Sequence, residues 1–345
     1  MDSKWILALI AYLLIFSSFL SAEGGWEQIS GNSPSPRIGH TIVVIGNNAY
    51  LFGGQNQTTT FNDLWKFNFE TGWTQIPHEV PEPLQPTPLH HHHAIAINGK
   101  MHIINGSFSD GWMGMASVEV YDIENNLWTS LSMGSSYPGV YPYSSAVDIQ
   151  NSIYTYGGKD ILENAVIADL WKYDIEAGGW LNKTSYPLKP LYGHVAVPHN
   201  DKMYVFGGNN GQTTKNDILC YDPAVHNWSN IQVQGEKPET IFLSASAYQQ
   251  DSKLWIIGGK DVLGNDTNKT WEYDFIENKW TPKEDSPFPH SQAQAVYFSD
   301  GRILLFGGES NGQLIGSTWK YTETPVSSTI DQYVTYDDGV IRMLM

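Results

Sequence analysis

The sequence holds a single cysteine, Cys220, in 345 residues. One thiol excludes an intrachain disulfide framework, and a chain of this length needs none to hold a core. Cys220 reads as a buried thiol on a strand. Positive charge is also scarce: 19 Lys and Arg stand against 36 Asp and Glu, for a formal charge of −17. Such a surface repels phosphate backbones and anionic lipid, which sets aside nucleic acid and membrane surfaces as partners. Long apolar runs are missing after the amino end, so no later segment is long enough to cross a bilayer. Catalytic signatures are missing too: no H-E-x-x-H, no P-loop and no EF-hand loop. "GESNG" at 308–312 matches G-x-S-x-G. Ser310 nevertheless sits between two strand-like segments with no helix after it, so the nucleophile elbow fails.

The amino end carries what the rest lacks. Lys4 precedes "WILALIAYLLIFSSFLSA", which closes on the small residues Ser21 and Ala22. A basic start, an apolar run and a small-residue end predict a secretory signal peptide over 1–22, removed to give a secreted or lumenal chain with no membrane contact. Asp2 and Leu20 depart from the ideal pattern, and the alternative is an uncleaved membrane anchor. Six Asn-x-Ser/Thr sequons fit a secreted chain. Asn56, Asn182, Asn227, Asn265 and Asn268 are the glycosylation candidates, whereas Asn105 lies too close to the expected core.

The chain is rich in glycine, with 32, and in aromatics, with 13 Trp, and both recur at a fixed period. Glycine pairs fall at 53–54, 157–158, 207–208, 258–259 and 307–308, and Asn105-Gly106 fills the gap in the series. Each follows a short apolar run, as in "NAYLFGG", "KMYVFGG" and "RILLFGG". An aromatic follows each pair: Phe67, Tyr121, Tyr173, Tyr221, Tyr273 and Tyr321. Five of these precede a tryptophan: Trp73, Trp128, Trp180, Trp228 and Trp280. The sixth repeat has none, and Trp26 stands unclaimed at the other end of the chain.

A double glycine, then Tyr, then Trp, at about 50-residue spacing, resembles the kelch repeat. The resemblance covers 26–322. It implies an all-β, six-bladed propeller with four antiparallel strands per blade, named a to d outward from the axis. The segments agree: each repeat shows four runs rich in Val, Ile, Phe, Tyr and Trp that are too short for helices. A ring with an open edge invites aggregation. "WEQIS" at 26–30 is therefore expected to supply strand d of the last blade, closing a propeller over 23–322. Residues 323–345 fall outside the repeat, as a tail or a hairpin around Asp337-Asp338-Gly339.

Residues 89–95 read "LHHHHAI". His92 lies 13 residues before Asn105, as His40 does before Gly53 and His194 before Gly207, so one histidine of the run occupies the repeat's own position. That position opens the innermost strand, beside the channel. Strand alternation sends neighbouring histidines to opposite sides, so no more than two converge, and no carboxylate stands beside them. Packing and hydrogen bonding, with no designed metal site and no cofactor, is the reading.

The antiparallel meander puts the d–a and b–c connections on one face, and these are the long ones, 77–90 and 107–117. Long loops on a rigid scaffold are where binding resides. "GGKDIL" and "GGKDVL" place Asp160 and Asp261 at equivalent points of blades 3 and 5, with Asp110, Glu163 and Glu309 adding negative charge. Phe108, Trp112, Met113 and Met115 are read as exposed there. Arg37, His40, His92, Tyr143, Tyr192, His194 and His290 are read as lying near the channel mouth on the same side. Acidic and aromatic groups together suit a protein or glycan ligand. The kelch resemblance implies a binding scaffold, and the alternative is a sugar-processing enzyme of mutarotase or oxidase kind. Galactose oxidase shares the propeller, but its Cys–Tyr thioether does not carry over, because Cys220 and Tyr221 are strand neighbours pointing to opposite faces. The E-x-x-x-D-x-x-x-H iron spacing of plant specifier proteins does not occur.

Overall fold

A computed structural model describes residues 24–78, 85–108, 118–131, 134, 138–160, 162–185 and 189–323, together with strands at 334–337 and 340–343. The expected signal peptide, Asp110, Trp112, Met113, Met115 and most of 323–345 lie outside the described residues. Every regular element among the described residues is a β-strand.

Six four-stranded antiparallel sheets account for the repeat. Blade 1 runs Thr41–Ile45, Asn48–Phe52, Leu64–Asn68 and Gly72–Ile76 from strand a to strand d. Blades 2 to 5 repeat the order, with a strands at His93–Ile97, Ser145–Ile149, Val195–His199 and Ala245–Gln249. Blade 6 takes Gln294–Tyr297, Arg302–Phe306 and Thr318–Thr322 as a, b and c. Its fourth strand is Gly25–Ile29, from the other end of the chain, hydrogen-bonded beside Thr318–Thr322. The ring is closed as the unpaired Trp26 requires.

Six buried apolar clusters fill the six gaps between blades. A blade is thus buried on both faces, which is why its strands are apolar without clean alternation. The repeat's Tyr or Phe pairs with its Trp at ring-centroid distances of 5.0 to 5.1 Å in all six blades, Trp26–Tyr321 included. Four of the tryptophans also reach an aromatic on strand b of the preceding blade: Trp73 to Phe306, Trp128 to Phe52, Trp228 to Tyr156 and Trp280 to Phe206. Each therefore holds its own blade and locks the next joint.

The glycine pair joins blades through its backbone. The amide of the second glycine donates to a carbonyl at the entry of the following blade: Gly54 to Leu89, Gly158 to Leu191, Gly208 to Ile241, Gly259 to His290 and Gly308 to Arg37. Both members have positive φ, and a Cβ on Gly53 would lie 2.6 Å from the Leu89 carbonyl. No side chain fits, so glycine is required by both conformation and space.

Trp26–Tyr321 forms one compact unit, and the end of the chain belongs to a second. The latter holds a hairpin, Val334–Asp337 paired with Val340–Met343, around the expected turn.

Candidate functional site

The site forms where each blade enters its innermost strand, through a four-residue turn. These turns start at Arg37, Leu89, Leu191, Ile241 and His290, with Tyr141–Ser144 serving blade 3. The first residue docks on the preceding blade's glycine. The second pairs with the residue after its own blade's glycine pair, as in Ile38 with Gln55, Tyr192 with Asn209 and Ser291 with Glu309.

The third residue has positive φ in all six blades: Gly39, His91, Tyr143, Gly193, Leu243 and Gln292. Four of them are not glycine, and non-glycine residues rarely hold this conformation outside constrained sites. The constraint is a chain of backbone hydrogen bonds around the axis. His91 N–H donates to Gly39 O at 2.7 Å, Gly193 to Tyr143 at 2.8 Å, Leu243 to Gly193 at 2.9 Å and Gln292 to Leu243 at 2.8 Å. The turns enclose a cavity of about 190 Å3 on the axis, and the third-position residues form its rim.

The fourth residue leaves the rim, and three of the six are histidines that pack and hydrogen-bond beside the channel as the sequence reading expects. His40, His92 and His194 are buried and turn back between blades. An entry carbonyl and an imidazole occupy the space left by the first glycine of these pairs. The His92 ring lies beside Gly53, the His194 ring beside Gly157 and the His40 ring beside Gly307. His92 Nε2 pairs with Thr41 Oγ1 at 2.8 Å, and His194 Nε2 pairs with Ser145 Oγ at 2.6 Å. Between blades 2 and 3 the roles reverse, with His93 Nε2 3.0 Å from Ser144 Oγ. Burial holds the His40 and His194 rings down to about pKa 3, with the Arg37 guanidinium adding to the effect at His40. These rings are neutral and pack between blades, and His40, His92 and His194 also line the axial cavity.

Arg37 and His290 do depart from the channel-mouth reading, since both are fully buried and neither lines the cavity. The Arg37 guanidinium forms a bidentate pair with Asp63, at 2.6 and 2.9 Å, and stacks over Phe61. Arg37 fixes blade 1 internally. Phe108 packs against the cluster between blades 1 and 2 and is not an exposed anchor.

The four histidines thus have four different partners. His90 Nε2 faces Phe108 O at 3.1 Å, and its Nδ1 faces His91 Nδ1 at 2.8 Å. His91 crosses the rim to Gln292 Oε1 at 3.1 Å and packs at a tilt against Tyr143, 4.4 Å between centroids. His92 and His93 anchor the flanking joints. Gln292 passes the connection to Glu309, which faces Lys260, itself paired with Asp266. No cluster of three or more His, Cys, Asp or Glu suited to a metal occurs among the described residues. Gln292, Thr41 and Ser144 escape sequence reasoning, because nothing in a single sequence ties a polar residue to a histidine about 50 or 200 positions away.

Tyr143 lies at the rim, and Tyr192 stands 6.2 Å from it between ring centroids. Outside it stand the b–c hairpins. Asp160 and Asp261 act first as turn caps. Asp160 Oδ1 accepts from the amides of Leu162 and Glu163 at 2.9 and 3.0 Å, and Asp261 Oδ1 accepts from Leu263 and Asn265 at 2.8 Å each. The capped turns hold Leu162, Val262 and Leu263 outward, 64%, 64% and 82% exposed.

The sequons differ in setting. Asn182 and Asn227 are exposed on outermost strands, whereas Asn105 is buried. Asn56 caps its own turn through its side-chain oxygen. The Asn265 amide donates to Asp261, and the Asn268 amide donates to the Ser286 carbonyl.

Comparison with known proteins places this geometry. The model of the Attractin/LZTR1 beta-propeller matches residues 15–261, and that of the Kelch motif matches 244–286. Relatives include the leucine-zipper-like transcriptional regulator 1 homolog of Drosophila melanogaster, 28% identical over 67% of this chain and 25% of that protein. Putative protein tag-53 of Caenorhabditis elegans is also 28% identical, over 67% of this chain and 19% of its own length. Kelch domain-containing protein 3 of Bos taurus is 24% identical over 79% of this chain and 78% of its own. The chain spans a quarter or less of the first two.

Proposed function

Because the chain belongs to the Attractin/LZTR1 beta-propeller family of kelch propellers, we propose that it is a protein-binding scaffold working through the d–a/b–c face. The observation that supports this reading is the pair of capped hairpins that present Leu162, Val262 and Leu263 to solvent. Large apolar side chains held outward by rigid turns are the ordinary makings of a contact surface. Arg37 serves the fold, which leaves the cavity rim and the hairpins for recognition. The working site of the chain is proposed as the secretory-pathway lumen or the exterior, on the signal-like 1–22 segment. The amino terminus of material secreted from a eukaryotic host tests this, with Glu23 as the expected first residue. The test of the scaffold reading is capture of surface or lumenal partners by chemical cross-linking, with 77–90 and 107–117 scrambled and, separately, with the hairpin leucines changed to serine. Loss of capture is expected, and unchanged capture by both variants refutes the face assignment.

A second reading, a sugar-processing enzyme or glycan binder at the channel mouth, draws on the cavity of about 190 Å3 rimmed by His91, Tyr143 and Gln292. A glycan array run beside a mutarotation assay separates the two. Turnover would establish the enzyme, and glycan binding without turnover would make the ligand a sugar.

A further inference from the structure

We propose that the partner segment is basic and aliphatic, seated across blades 3 to 5 of this face; the inference rests on the scaffold reading above. Exposed apolar side chains occur on both faces, and their electrostatic settings differ. On the opposite face Val225 and Ile276 are 69% and 82% exposed, each beside a turn capped by an aspartate. There the turn carboxylates of Asp122, Asp174 and Asp222 each face a lysine, at 2.8, 3.4 and 2.8 Å. That face is neutralised at short range at these three turns, though not at Asp274 beside Ile276.

The hairpin face is not. Among the described residues no lysine or arginine pairs with Asp160, Glu163 or Asp261. The lysines adjoining Asp160 and Asp261 in the chain are already engaged: Lys260 lies between Asp266 and Glu309, and Lys159 stands over the Tyr192 ring. Asp160 and Glu163 join Asp169 in raising the Tyr141 phenol pKa, after the larger effect of its burial, so these charges reinforce one another in space. Uncompensated carboxylates beside protruding Leu and Val side chains complement a segment that alternates Lys or Arg with aliphatic residues. Blade 4 lies between the two hairpins and presents Asn209–Thr214, whose Asn210 side chain holds its own turn. The hairpins are fixed before binding. Asp261 and Asp160 cap them, and Asp266 accepts from the Asn311 amide of blade 6 at 2.7 Å, so little ordering is left to oppose association.

The experiment pans a random peptide library displayed on phage against the full chain at physiological salt. It then measures the enriched peptides on three variants. The tip variant is L162S/V262S/L263S. The charge variant is D160N/E163Q/D261N, which keeps the capping oxygens and removes only charge. The control is V225S/I276S. Enriched peptides should combine Lys or Arg with Leu, Ile, Val or Phe. They should lose about tenfold or more in affinity on the tip variant, lose salt dependence on the charge variant, and bind the control unchanged. Acidic or uncharged peptides that still depend on the tips would overturn the partner chemistry and leave the face reading standing. Peptides lost on V225S/I276S but not on the tip variant would overturn both. A library that enriches nothing would overturn the proposal.

Discussion

At the scale of single residues, the histidines are neutral wall material, and that has a pH consequence. Burial holds His91, His93 and His290 down to about pKa 4, and His40 and His194 to about 3. The unfolded chain binds a proton at each of these near its ordinary pKa of 6.5, while the native chain does not. Acid therefore favours unfolding: stability is full above about pH 6.5 and declines as pH falls toward the native values. Each fully buried ring contributes a slope on the order of 1 kcal/mol per pH unit in that window. The urea midpoint should drop between pH 7 and pH 5, measured by tryptophan fluorescence. Replacing His290, whose ring nitrogens have no hydrogen-bond partner among the described residues, by leucine should flatten that dependence. Parallel slopes for H290L and wild type would contradict the assignment. The run at 90–93 was legible as one repeat position plus three extra histidines. Its partners were not, because Thr41, Ser144 and Gln292 come from other blades.

At the scale of strands and turns, the tryptophans lock the joints. Trp128→Ala and Trp180→Ala should each lower stability by about 3–5 kcal/mol in urea titration, since both empty a packed inter-blade gap. The capped hairpins should behave differently. Asp160→Ala removes two backbone acceptor contacts at a surface turn, so hydrogen exchange over 160–165 should accelerate while the global urea midpoint stays put. A shifted midpoint would mean that the hairpin belongs to the core. The glycine pairs, Tyr–Trp pairs and strand order could all be read from the chain because they recur at a fixed spacing. The rim could not. Its six positive-φ positions are Gly, His, Tyr, Gly, Leu and Gln in turn, and only Gly39 and Gly193 carry a conformational signature. Arg37, His40, His92 and His194 sit at the right place along the chain but on the inner side of the turn. The joint between blades supplies the partners that permit their burial.

At the scale of the whole molecule, the closed ring is what gives the face its form: the rim, the cavity and the fixed hairpins all depend on six blades meeting. Closure rests on Gly25–Ile29 beside Thr318–Thr322, on the Trp26–Tyr321 contact and on the Glu27–Lys320 ion pair at 2.5 Å. Without that strand, the outer edge of blade 6 presents unpaired backbone to other molecules. The decisive measurement compares a chain beginning at Glu23 with a version lacking residues 24–30, by urea unfolding and size-exclusion chromatography on the same samples. A lowered midpoint together with self-association is the outcome expected of an opened ring. A monomer with an unchanged midpoint would show that the amino-terminal strand does not close the propeller.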